Sequence, residues 1–191
     1  MKIVGQLIGF HADQRRFHAI DGGIELVDLH AAQLPAFDDY SMQGRTYRYM
    51  TAEPLYPFGF GLSYTKFDYS ELQIDQPTLA LADSLHVTLT LTNCGESDSA
   101  EVAQFYLSDL QASTIVPRHH LIGFERVDLK AGESKTLKFT ITPEMMSFYN
   151  DDGKLTLEPG EFKLEVGGCS PSQRGQDLGA PKPVTAIFDV K

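Results

Sequence analysis

The chain has 191 residues, enough for one well-cored domain with attachments or at most two small ones. Its hydrophobic fraction of 42% against 22% charged residues is that of a globular protein rather than a disordered one. A net charge of −10 excludes a nucleic-acid backbone as partner, because counterion release needs clustered Lys and Arg; neutral sugars are compatible with it and polyanions are not.

Residues 1–32 are unassigned. Met1, Lys2, Ile3, Val4 and Gly5 are followed by His11, Asp13, Arg15 and Arg16, which break any signal-like apolar region, so no export signal is expected and the cytoplasm is the default location. No apolar run is long enough for a transmembrane helix, so no membrane partner is expected. Gly22 and Gly23 mark a turn. The spacing of His11, His18 and His30 fits no short metal-ligand motif, and surface or turn roles are the better reading.

Residues 33–66 read as an extended arm. Asp38 and Asp39 are adjacent, so in an extended chain they point to opposite sides and cannot flank a glycosidic bond as a catalytic pair; they read as solvated turn residues. Arg45, Tyr47, Arg48 and Tyr49 interleave rings with guanidinium forks. Rings stack on sugar faces and forks reach carboxylates, so these four are candidates either for sugar contact or for pinning the arm to a neighbouring body. In the strap of residues 54–65, Leu55, Tyr56, Phe58, Phe60 and Tyr64 alternate with Pro54, Pro57, Gly59 and Gly61. Such a segment forms neither a regular helix nor a central strand and is expected to lie extended against folded structure.

After the strap the hydrophobic period becomes two. Residues 67–74, 85–92, 101–107, 121–127, 135–141, 161–167 and 184–190 read as strands. The second is the cleanest, with Leu85, Val87, Leu89 and Leu91 inward and threonines outward; the third is apolar on both faces at its centre. Residues 93–98 form a turn, Pro143 opens a single helical turn, and Asn150, Asp151, Asp152 and Gly153 make a hairpin turn rather than a calcium loop. Residues 170–183, rich in Ser, Gly and Pro, read as flexible. The expected fold is all-β: an immunoglobulin- or fibronectin type III-like sandwich of about seven strands over residues 67–191, with an extended N-terminal arm. Cys94 and Cys169 are read as free thiols near loop ends, with a bridge between them left open.

Two motifs in fixed order, Gly44-Arg45-Thr46-Tyr47-Arg48-Tyr49 and the strap, resemble the segment that joins the second domain to the last domain in family-three glycoside hydrolases, the β-glucosidase and β-xylosidase group. The likeness continues through residues 102–109, 117–127, 129–134 and 159–168, which are similar to the C-terminal fibronectin type III-like domain of those enzymes. It begins near Gln33, which suggests a shortened or rearranged reading of a longer gene.

The resemblance implies that the nucleophilic Asp comes from an N-terminal barrel and the acid from the following α/β domain, so no catalytic residue is carried over to this chain. No cofactor or metal motif stands in for them, and the chain alone is expected to be inactive. The implied partners are those barrel and α/β domains. A glycan, and self-association through the aromatic strap, are further candidates, as is a free-standing glycan- or protein-binding module. Candidate contact residues, to sugar or across the domain boundary, are Arg45, Tyr47, Arg48, Tyr49, Tyr56, Phe58, Phe60, Tyr64, His119 and His120. Adjacent histidines diverge in direction, so structural roles for His119 and His120 stand beside contact roles.

Overall fold

The computed structural model describes residues 36–42 and 44–191, together with the backbone of residues 18–20 and 23–25. Strands β1 (His18–Ile20) and β2 (Gly23–Glu25) pair antiparallel; of the turn expected at Gly22 and Gly23, Gly22 lies outside the described residues and Gly23 is the first residue of β2. The expectations for His11 and His30 lie outside the described residues.

A single helical turn, α1 (Thr46–Tyr49), interrupts the arm. The sandwich then begins with β3 (Phe67–Ile74), β4 (Thr78–Leu79) and β5 (Leu85–Asn93). It continues through β6 (Ser99–Asp109), β7 (His120–Leu129) and β8 (Ser134–Ile141). The turn α2 (Pro143–Met146) carries proline at its start, and the hairpin of β9 (Phe148–Tyr149) and β10 (Leu155–Thr156) closes through Gly153 at φ 71°. Strand β11 (Gly160–Gly167), the short helix α3 (Gln173–Asp177) and β12 (Val184–Val190) complete the chain.

Strands β3–β8, β11 and β12 form the two layers of an all-β, fibronectin type III-like sandwich: a sheet in the order β4-β12-β11-β6-β7 and another in the order β3-β5-β8. Pairing is antiparallel except between β12 and β4. Alternation puts Leu85, Val87, Leu89 and Leu91 of one sheet against Phe105, Leu107, Phe162, Leu164 and Val166 of the other, all essentially dry. Removing that apolar surface from water is the main force holding the layers together. Phe139 of β8 stacks on Phe105 of β6 at 4.2 Å, and its ring fills the space a side chain at Gly123 would need.

Two local features depart from plain alternation. A bulge between Ser70 and Gln73 turns Glu71 to φ 53°, where its carboxylate accepts from the Thr90 hydroxyl at 2.8 Å. Residues 170–183, expected to be flexible, instead contain α3, whose N-cap Ser172 accepts from the Gly175 amide. Among the described residues, no helix is long and apolar enough to cross a membrane.

Candidate functional site

The outer face of the five-stranded sheet decides where the arm lies. Along β6, Ala103, Phe105 and Leu107 face the core, which turns Gln104, Tyr106 and Ser108 outward, yet these three are also buried. The arm and the segment after β11 cover them.

Gln104 is the hub of that cover. Its amide donates to the Gly168 carbonyl at 2.7 Å and, at 3.4 Å, to the Gly59 carbonyl of the strap, while its Oε1 accepts from the Tyr106 hydroxyl at 2.7 Å. Gly59 sits at φ 76°, and a Cβ there would fall 2.3 Å from Gln104 Oε1, so the close approach requires glycine. Next to it, the Ser170 amide donates to the Phe58 carbonyl at 2.8 Å. Arg174 of α3 donates from its backbone to Glu53 and from Nε to the Leu55 carbonyl. Pro54 and Pro57 are buried in this seam.

Further fastenings lie at both ends of the arm. Arg118 donates from its amide to the Arg48 carbonyl at 2.7 Å and from its guanidinium to the Met50 carbonyl at 2.5 Å. At the other end, the fully buried Asn93 accepts from the Thr65 hydroxyl at 2.6 Å and the Gly95 amide, and donates to the Ser97 and Leu129 carbonyls.

Some of the residues singled out in the sequence converge here. Tyr47 stacks on Phe58 with ring centres 4.8 Å apart; His119 lies 6.0 Å from Tyr47 and meets Tyr106 edge-on at 5.7 Å. Arg48 lies over the Tyr47 ring, and Tyr56 stacks with Phe60. Others lie apart. Arg45 pairs with Asp39 at 3.1 Å, within the turn expected at Asp38 and Asp39, and Tyr49 is half-buried at the end of α1. Tyr64 is fully exposed, with Leu62, Phe37 and Tyr40 also facing solvent.

The two histidines diverge. His120 donates from Nε2 to the Met145 carbonyl at 3.2 Å, while the buried His119 Nε2 has no hydrogen-bond partner among the described residues. Burial, with Arg118 nearby, pushes His119 down to about 4; burial also lowers His120, partly offset by the Met145 carbonyl. Both rings are therefore neutral at pH 7.

Beneath the clamp, the Tyr69 hydroxyl donates to Glu101 at 3.0 Å, and burial raises the Glu101 carboxyl above its ordinary range. Cys169 beside it is buried and raised to about 11, by burial first and by Glu101 second; Cys94 is exposed, and both thiols are free. Among the described residues no group of three His, Cys, Asp or Glu side chains could hold a metal ion.

Sequence reasoning missed Gln104, Arg118, Ser170 and Arg174 as the fastenings of the arm. One signal was available: a glutamine in the centre of a strand apolar on both faces has to be satisfied by something that covers it.

Residues 101–170 match the fibronectin type III-like domain family. A periplasmic β-glucosidase of Salmonella typhimurium is 37% identical over 147 residues, covering 71% of this chain and 19% of that protein. A xylan 1,4-β-xylosidase of Xylanibacter ruminicola is 37% identical over 139 residues, covering 72% of this chain and 16% of that protein. The solved structure of a β-glucosidase from Erythrobacter marinus superimposes with a TM-score of 0.69 at 32% identity, covering 87% of this chain and 21% of that one. The chain thus spans about a fifth of the length of the relatives it matches, and those relatives carry other domains besides. With its two-layer fold and these matches, the chain fits the C-terminal fibronectin type III-like domain of a family-three glycoside hydrolase.

Proposed function

We propose that this chain is an accessory domain of a family-three glycosidase acting on β-glucosides or β-xylosides, supporting the catalytic domains and contributing no catalytic carboxylate of its own. Residues 67–191 form the sandwich, and residues 33–66 form the arm that joins it to the preceding α/β and barrel domains. The observation that carries this reading is the division of labour along the arm. Its backbone between Arg48 and Gly59 is fastened to the sandwich, while Phe37, Tyr40, Leu62 and Tyr64 point outward. Exposed apolar side chains of this size mark an interaction surface, and an arm already ordered on the sandwich meets a partner at lower entropic cost.

Hydrolysis of nitrophenyl β-glucoside and β-xyloside, with a sizing column run alongside, tests the proposal. The purified chain is expected to show no turnover. It is expected to co-elute with separately produced barrel and α/β domains of a close relative and to raise their activity or lifetime at elevated temperature. Turnover by the chain alone, or no effect on those domains, would refute the reading.

A further inference from the structure

A cleft of about 630 Å³ opens between the arm, the outer face of the five-stranded sheet and the segment holding α3. It lies within the size range of small-molecule sites. Its wall interleaves donors with acceptors. Arg118 comes from the loop before β7, Lys163 and Glu165 from β11, Asp109 from the end of β6, Glu53 from the arm and Gln176 from α3.

We propose that this cleft binds a short neutral saccharide, at a site belonging to this chain alone. Charge and solvation restrict the ligand class. Two cationic side chains face three carboxylates, so a phosphate or dicarboxylate meets repulsion from Glu53, Asp109 and Glu165. An apolar ligand would strip water from these groups and return no hydrogen bond. Sugar hydroxyls both donate and accept, so they satisfy a wall in which both kinds of group alternate.

The wall is also held in place before any ligand arrives. Lys163 and Glu165 pair at 2.9 Å with the Glu165 side chain 13% exposed, Arg118 is fixed on the Met50 carbonyl, and Asp109 accepts from the Gln111 amide. Burial raises the Asp109 carboxyl from its ordinary range, in keeping with a group partly withdrawn from water. Tyr47 adds an aromatic ring to the wall.

The proposal stands apart from the accessory role, because it is read on this chain without other domains. Amide spectra of the full chain would be recorded during titration with glucose, xylose, cellobiose and xylobiose. Saturable shifts are expected around Asp109, Lys163 and Gln176. The substitutions Asp109→Asn and Gln176→Ala should each weaken binding by about tenfold, the scale of one lost hydrogen bond to a charged or well-placed polar group. Lys138→Gln, on the exposed face of β8, should leave it unchanged. Melting curves of the variants confirm that each is folded, and Gln176→Ala keeps a strong helix former in α3. Shifts that grow without saturating, affinity unchanged from the parent chain in both cleft variants, or saturation by inorganic phosphate in place of sugars would each overturn the proposal. So would cleft shifts that appear only on mixing with catalytic domains of a relative, which would make the cleft a protein-docking groove.

Discussion

Protonating His119 should loosen the seam between arm and sheet, and the size of the effect follows from its surroundings. The half-buried ring packs against Tyr47 and Tyr106, its buried Nε2 has no partner among the described residues, and Arg118, Lys163 and His120 all add to burial in disfavouring a positive charge there. The folded-state value of about 4 lies below the ordinary histidine value of 6.5. The unfolded chain therefore takes up the proton first as pH falls, and stability is lost between those two values. At about pH 5 the loss from this one residue is roughly 2 kcal/mol, equivalent to a fall of roughly 4–8 °C in melting temperature for a chain of this size. His119→Phe keeps a ring of similar shape and cannot titrate. Its stability at pH 7 should equal or exceed that of the parent chain, and its melting temperature should fall less on acidification by that difference. The comparison between the two proteins matters because His120 contributes in the same direction, while the raised carboxyl of Glu101 favours the folded state as pH falls. Parallel curves of melting temperature against pH for the parent and His119→Phe would refute the reasoning.

Two further outcomes follow from the clamp. Gln104→Ala deprives the Gly168 carbonyl of its donor and the Tyr106 hydroxyl of its acceptor, and should cost about 2–3 kcal/mol by urea denaturation while speeding proteolytic cleavage in residues 51–56; an unchanged midpoint and cleavage rate would contradict the hub role. In a thiol-reagent assay, exposed Cys94 should react promptly in the native protein, whereas Cys169, buried and raised to about 11, should react only after unfolding; two fast thiols in the native state would show that the seam opens freely.

The strands were legible in the sequence because alternation is a local property. Residues 85–92 announce which side of β5 is dry without reference to any partner, and the turn at Gly153 and the proline opening α2 are equally local signals. The likeness of the arm motif and the strap to family-three glycosidases was legible for the same reason: it rests on residue order alone. The clamp was not. Residues 170–183 have the composition of a loose loop, and only the tertiary structure seats α3 and Ser170 on the strap, because the hydrogen bonds that hold them run to residues more than a hundred positions away in the chain. Likewise the sequence marked Tyr47, Phe58 and His119 as suggestive, but not that Tyr47 meets both of the others, nor that Arg45 turns away to Asp39. Periodicity reports which face of a strand avoids water. What covers the other face depends on distant segments meeting there, and for the outer face of β6 that meeting is what turns Gln104 from an exposed polar residue into the buried centre of the arm's attachment.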